Sequence, residues 1–521
     1  MKRRLPSSIR WLGLCVCLLL APVRLAAEDV GHEFLPPEHW AYSALARFEA
    51  LGLCVLPSEK PYSRDDAIRY IEVIQRAVEE RRLTLNPRDQ FNLNRLDREF
   101  HDAESRTNPK NRFDPPALYL SDDPMRFEAD FDLAVAGEDA LRGERWDFFG
   151  ISNPTLRLHS HRLSCEVRYR VVMGPERDGN ERNSKPTPRT KSWRGLTTLY
   201  ERSYLVYHWD KAAIFFGRDY TDWGPATDRN VIMSQQAGSQ DKLGCRLQFK
   251  NFRLSSFHAL LSVTEERYLA AHRLEMLFGG VTVGLSETVI HRERFLDPVY
   301  LVPFSSFYAN QFAEREDDNV NWAIDLKVPV TRGIVVDGSF LVDDFQYERG
   351  DSTPDNLAFN VGIRAAIMDP LPIGLGLRYH RVNMYTYTHR DSLKAHVDGA
   401  GDPIAGDNIL GVIEGPDTDL FTANVDFFPL ARLTATALFA SLRRGEGDDF
   451  RAFRPGDDHA PSFPSGVVER TTSLGLRLAW ELDGNSLASA EVARARVKNN
   501  DHVRGADSWE TSARFLLGWD F

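Results

Sequence analysis

Two stretches of this 521-residue chain concentrate the residue types that recognise sugars. The segment 218–240 holds Arg218, Tyr220, Trp223, Asp228, Arg229, Gln235 and Gln236. The segment 291–319 holds His291, Arg292, Arg294, Tyr300, Phe304, Phe307, Tyr308 and Asn310. Flat aromatic faces stack on the C–H-rich faces of pyranose rings, and planar polar side chains beside them satisfy the hydroxyls. An arginine fork matches a carboxylate, so acidic sugars suit both stretches. Catalytic patterns are missing: the sequence has no His-Glu-x-x-His, no Gly-x-Ser-x-Gly, no phosphate-binding loop and no dinucleotide fingerprint. The expectation is a protein that is not an enzyme. Asp448-Asp449 and Asp457-Asp458 read as solvated loop charge, and Cys54, Cys165 and Cys245 are too scattered for a metal site or a disulfide framework. No metal or other cofactor is expected.

The elements that must hold these stretches are strands. Beyond Pro124 the polarity period is two: Phe127, Ala129, Phe131, Leu133 and Val135 alternate with Glu128, Asp130 and Asp132. Leu163, Cys165, Val167, Tyr169 and Val171 alternate with Arg162, Ser164, Glu166, Arg168 and Arg170. The pattern recurs at Trp322/Ile324/Leu326/Val328 and at Leu474/Leu476/Leu478/Trp480. Strands buried on both faces read as continuous apolar runs. These place full charges on one face, as a barrel does with lipid outside and water inside.

Connection lengths point the same way. Short turns at Lys250-Asn251, Gly279-Gly280, Thr331-Arg332-Gly333, Asp369-Pro370, Pro429-Leu430 and Asp483-Gly484-Asn485 alternate with long polar connections at 221–240, 291–319, 344–356, 386–419, 443–470 and 498–508. That rhythm is the short periplasmic turn and long extracellular loop of an outer-membrane barrel. With both barrel ends periplasmic the strand count must be even. Direct counting leaves an odd number, and the rhythm places the missing strand at Arg145 to Ile151, turned at Asn153-Pro154. The expected fold is an all-β transmembrane barrel of about 18 antiparallel strands over residues 126–521, in the cell outer membrane. That gives roughly 22 residues per strand and connection, enough for membrane strands of about ten. The last strand carries Ala513, Phe515, Leu517, Trp519 and Phe521 on one face, and the terminal Phe521 reads as a membrane-insertion signal for the barrel-assembly machinery.

Ahead of the barrel lie two other segments. Lys2, Arg3, Arg4 and Arg10 precede an apolar run from Trp11 to Leu20 and then Leu25-Ala26-Ala27, which reads as a signal peptide over residues 1–27. From 28 to 110 the period is helical. Trp40, Ala44, Leu45 and Phe48 share a face before Gly52; Ser63 caps a second helix; Asn86-Pro87 opens a third. Residues 111–125 read as a linker. Trp40-x-Tyr42-x-Ala44-Leu45, Leu51-Gly52-Leu53 and Tyr62-Ser63-Arg64 resemble an S-layer-homology module, which implies a periplasmic head with a peptidoglycan or wall-polymer partner. A formal net charge of −11 and a mean hydropathy of −0.38 argue against nucleic-acid partners and against a bundle of membrane helices.

The barrel sequence also resembles a known family. Phe216-Gly217-Arg218-Asp219-Tyr220-Thr221-Asp222-Trp223-Gly224-Pro225, Gly284 to Ile290, Leu296-Asp297-Pro298-Val299-Tyr300-Leu301-Val302-Pro303-Phe304 and Phe340 to Phe345 are similar, in that order, to the outer-membrane capsule-assembly Wzi family. The resemblance implies a barrel with a periplasmic helical bundle. It implies a non-enzymatic surface lectin that anchors capsular or extracellular polysaccharide and is embedded in outer-membrane lipid. On this reading the binding candidates are Arg218, Tyr220, Trp223, Asp228, Arg229, Arg292, Arg294, Tyr300, Phe307 and Tyr308. Aromatics near strand ends also serve as interface girdle, and inward loops also simply plug large barrels. The S-layer-like head keeps open a wall-anchored general or carbohydrate-selective porin.

Overall fold

The computed structural model describes residues 32–520, apart from 103, 105–107, 123, 140–145, 175–195, 295, 304, 315–316, 345–353, 369–370, 399–407 and 483–485. The expected signal peptide, Phe304, Phe521 and the turns at Asp369-Pro370 and Asp483–Asn485 therefore lie outside the described residues.

Three helices come first: α1 (Ala41–Ala50), α2 (Arg64–Glu80) and α3 (Pro87–Leu96). Local chemistry sets their ends. Ser63 Oγ accepts from the Asp66 N–H while the Asp66 carboxylate accepts from the Ser63 N–H, each at 3.1 Å, a reciprocal cap. Asn86 caps α3 with proline at its first position. Gly52, at φ +72°, ends α1 in the left-handed region that a side chain disfavours. Leu45, Phe48, Ile71, Ile74, Leu96 and Phe100 make the bundle's core.

The rest is a closed antiparallel barrel of 18 strands. Strand β1 runs Met125–Asp130 and Asp132–Asp139, and β2 runs Trp146–Ser152 and Thr155–Ser160. Then come β3 (Leu163–Met173), β4 (Leu196–Trp209), β5 (Ala212–Asp219), β6 (Gln240–Gln248), β7 (Phe252–Ser262) and β8 (Arg267–Phe278). They are followed by β9 (Val281–Arg292), β10 (Asn319–Thr331), β11 (Ile334–Asp344), β12 (Asn356–Ile367) and β13 (Ile373–Val382). The last five are β14 (Thr418–Leu430), β15 (Leu433–Arg444), β16 (Glu469–Glu481), β17 (Leu487–Lys498) and β18 (Ser508–Asp520). Closure is made by β18 on β1, from Asp520↔Asp132 to Arg514↔Glu138. The first half of β1 pairs instead with a short strand, Leu118–Asp122, which falls in the span read as a linker.

One turn is corrected. Asn153-Pro154 does not reverse the chain; β2 continues through it and turns at His161-Arg162. The dipeptide is an irregularity facing the break in β1, where the Asn153 N–H and Nδ2 donate to the two Asp132 oxygens at 2.5 and 2.9 Å. Asp132 thus accepts from Asn153 groups that the interrupted ladder beside the proline leaves without a strand partner.

Residues opposite one another on paired strands share a face. Leu474, Leu476, Leu478 and Trp480 on β16 project outward and are exposed, as are Leu285 and Ile324 on β9 and β10. This belt is the surface that hydrocarbon covers in an outer-membrane barrel. The opposite face carries the charges.

The helical head is seated in the mouth where the short turns gather. The Gly333 N–H donates to the Ala50 carbonyl at 2.9 Å, and Arg47 donates to the Ile367 and Ile373 carbonyls. Ion pairs join Glu49 to Lys327 (2.7 Å) and Arg364 (3.1 Å), Glu59 to Arg246 (2.9 Å), Asp66 to Arg253 (3.0 Å) and Glu481 to Arg95 (2.6 Å). Burial alone would raise the Glu49 carboxyl, but Lys327 and Arg364 hold it below its ordinary value. Glu59 behaves alike: burial opposes, and Arg246 and Arg253 prevail.

Candidate binding surfaces in the lumen and at the rim

The connection 220–239 folds into the lumen. Asp222–Trp223 forms a two-residue antiparallel ladder with Glu59–Lys60 of the head, so chain entering from one end meets chain entering from the other. Asn230, fully buried, ties the loop together: its Oδ1 accepts from the Ala226 N–H at 2.9 Å and its Nδ2 donates to Asp222 at 2.6 Å. Trp223 is 2% exposed and lies edge-on to Phe257 at 5.3 Å.

The described parts of a second connection, 383–398 and 408–417, lie on the first. Arg267 on β8 projects into the lumen and donates to four carbonyls of this loop, those of Leu393, Ala395, Val397 and Asp398. The Tyr387 hydroxyl donates to the Val231 carbonyl at 2.5 Å, and His396 stacks on Tyr387 and meets the Ile232 carbonyl through Nε2 at 2.7 Å. A donor there requires the Nε2–H tautomer. Burial, helped by the Arg267 charge, pushes His396 down to about 4. Val231, Ile232, Met233, Tyr387, Val397 and Leu410 fuse with the inner wall into one apolar core.

That core fills one side of the lumen only. On β16, β17, β18 and β1 the inward face mixes small residues, Ser473, Gly475, Ala493, Ser512 and Ala134, with the ion pairs Arg477–Glu491 (2.6 Å) and Arg514–Glu138 (3.3 Å), whose arginines are 48% and 63% exposed. A polar crescent is left beside the plug.

The described residues of the connection 293–318 do not enter the lumen. Its helices α4 (Pro298–Leu301) and α5 (Phe307–Glu314) saddle the outward face of β7 to β10. Tyr300 and Phe307, 1% and 0% exposed, cover Ala270 and Val289. Glu287 points out of the barrel to receive the Phe307 and Tyr308 N–H groups at 3.0 and 2.9 Å and the Trp322 indole at 2.7 Å. A carboxylate among the apolar side chains of the outward wall needs such partners, and the saddle supplies them.

The sequence candidates thus separate. Arg218 faces outward, paired with Asp241 and near the Tyr200 ring. Tyr220 donates to Glu201 at 3.1 Å. Asp228 and Arg229 lie on a half-buried ledge, Arg229 bridging Asp228 and Glu414 at 2.7 Å each, while Gln236 donates to Asp228. Arg292 reaches Asp391 over the rim, and Arg294 pairs with Asp297 and Asp318. Tyr308 is exposed against Trp322. Trp223, Tyr300 and Phe307 offer no open ring face. Sequence reasoning missed Arg267, Tyr387 and His396, whose role depends on a contact between distant segments that no local spacing signals.

No family profile and no curated protein sequence matches the chain. Its fold does match solved structures, and these define its class: a closed barrel of the outer-membrane kind. In particular it is similar to Wzi, described as an outer-membrane protein involved in group 1 capsule assembly in Escherichia coli and a carbohydrate-binding β-barrel. That match has a TM-score of 0.61 at 12% identity, over 94% of this chain and 99% of the other. Looser matches are Pseudomonas aeruginosa OprD (TM-score 0.44, 11% identity, 75% and 95% covered) and a BenF-like porin from Pseudomonas fluorescens (0.46, 8%, 76% and 98%). At these identities the likeness concerns the fold.

Proposed function

We propose that the protein is a non-enzymatic outer-membrane barrel that holds capsular or extracellular polysaccharide at the cell surface. In this reading residues 1–27 direct export, residues 28–110 form a periplasmic head, 111–125 lead into the barrel of 126–521, and Phe521 addresses the assembly machinery. The long loops face outward. The observation that carries the reading is the ledge of Asp228, Arg229, Gln235 and Gln236, half-buried on a loop that the head, Asn230 and Tyr387 hold rigid. Preorganised polar groups bind hydroxylated, acidic chains without first losing loop entropy. The carbohydrate-binding description of the similar Wzi structure supports it. The test is binding of the native surface polysaccharide to the refolded barrel. Arg229→Ala with Gln236→Ala should weaken it at least ten-fold, two lost hydrogen bonds being worth about 2 kcal/mol. Unchanged binding in a folded variant refutes the ledge, and no binding by wild type refutes the function.

The polar crescent favours a second reading, a general or carbohydrate-selective porin whose head grips wall polymer. It calls for ohmic current in planar bilayers and for binding of the head to peptidoglycan.

A further inference from the structure

On the outward wall at the long-loop end, β16, β17 and β18 bring four cations together. Arg470 lies opposite Lys498, Thr472 opposite Arg496, and Leu474 opposite Arg494, while Arg496 faces Trp509 on β18. Arg470, Arg494, Arg496, Lys498 and Trp509 are exposed and, with Leu474, line a cleft of about 360 Å³. Trp509, 61% exposed, underlies the Arg494 guanidinium at 4.6 Å and that of Arg496 at 5.8 Å. Asp507 pairs with Arg496 at 3.3 Å; among the described residues no carboxylate pairs with Arg470, Arg494 or Lys498. The face is continuous with the hydrocarbon belt, since Leu474, Leu476, Leu478 and Trp480 descend from it along the same strand.

Cations on a lipid-facing wall are tolerated near the interface and disfavoured at the midplane. Four of them within four residues' rise of Leu474, the belt's upper edge, sit at headgroup level. Guanidinium forks there select phosphate, and an indole beside them belongs at the hydrocarbon boundary. We infer that this cleft binds a phosphorylated glycolipid of the outer leaflet, its phosphates on Arg470, Arg494, Arg496 and Lys498 and its acyl chains along Leu474 and Leu476. The inference takes the long loops to face the cell exterior and is independent of polysaccharide binding. It also deals with a charge excess that lumen chemistry does not use.

The test measures lipid retained by the full-length refolded barrel after incubation with bisphosphorylated lipid A, detergent exchange and mass spectrometry. Phosphatidylcholine and excess inorganic phosphate serve as separate arms. Wild type should retain lipid A, ignore phosphatidylcholine and resist displacement by inorganic phosphate. Arg494→Gln with Arg496→Gln should reduce retention on the order of ten-fold, by loss of two charge-assisted contacts. The inward pair Arg477→Gln with Arg514→Gln should leave it unchanged. Heat-modifiable migration on gels reports folding, and Arg470→Gln with Lys498→Gln replaces the first pair if that pair does not fold. Equal retention by folded cleft variants, equal retention of phosphatidylcholine, or displacement by inorganic phosphate would each overturn the assignment.

Discussion

Lys327 on β10 and Glu49 on α1 lie 2.7 Å apart, with 5% and 4% of their side chains exposed. One comes from the barrel wall and the other from the head, so this pair couples two parts of the chain that the sequence separates by nearly 280 residues. The Lys327 ammonium also donates to the Leu56 carbonyl at 2.7 Å, and Arg364 takes the other Glu49 oxygen.

Removing one partner of a buried pair strands the other. Glu49→Gln should cost about 3 kcal/mol of head docking, because buried Lys327 keeps its charge without a counter-ion and Arg364 is left only Asp337, at 3.6 Å. Limited proteolysis of the folded barrel checks this. The variant's head should be cut much faster while the barrel fragment stays intact, and a wild-type digestion rate would count against the pairing.

Acid should release the head in a defined window. Glu49 and Glu59 titrate below their ordinary values in the folded state, against burial, because Lys327, Arg364, Arg246 and Arg253 face them. A depressed folded value means that the stabilisation is complete above the unfolded carboxylate value of about 4.3 and fades as pH falls through the lowered values. Hydrogen exchange of α1 and α2, taken relative to the intrinsic rate at each pH, should therefore be flat from neutral pH to about 5 and rise only below about 4. A rise near neutrality would contradict it.

The lumen loop should respond earlier. His396 is held to about 4 by burial and Arg267, against about 6.5 in an unfolded chain. A base whose folded value is depressed keeps its full stabilisation above the unfolded value and loses it as pH drops between the two. Exchange of the 383–417 backbone, taken relative to the intrinsic rate at each pH, should thus increase between about pH 6.5 and 4, before α1 loosens. His396→Gln should flatten that response.

Arg267→Ala removes the donor to four carbonyls at once. Each buried carbonyl left unpaired costs about 1–3 kcal/mol, and water entry recovers part of that. The loop should detach while the wall persists, seen as a larger bilayer conductance than wild type at unchanged heat-modifiability. Equal conductance would mean that the loop is held elsewhere.

Local signals were the readable ones. Ser63, Gly52 and Asn86-Pro87 mark helix ends because capping involves neighbours in sequence. Period-two alternation with short and long connections reveals the barrel because every wall strand must separate lipid from water. Asn153-Pro154 misleads because a turn-forming dipeptide is also tolerated at a strand irregularity when a side chain such as Asp132 accepts from its Asn153 groups. Trp223, Tyr300 and Phe307 have the composition of a sugar platform, but burial is decided by which segment folds over them. Whether a loop packs inward, as the described part of 383–417 does, or saddles the wall, as that of 293–318 does, turns on Arg267 and Glu287. A lumen arginine and an outward carboxylate look like ordinary members of an alternating strand.

On the proposed function this barrel grips polysaccharide rather than passing solutes. Single-barrel current in a planar bilayer, recorded before and after adding the native surface polysaccharide on the long-loop side, tests it most directly. A polysaccharide-gripping barrel should carry a small current through the crescent that the polysaccharide blocks, with Arg229→Ala blocked only at higher concentration. A large steady current indifferent to polysaccharide would contradict it.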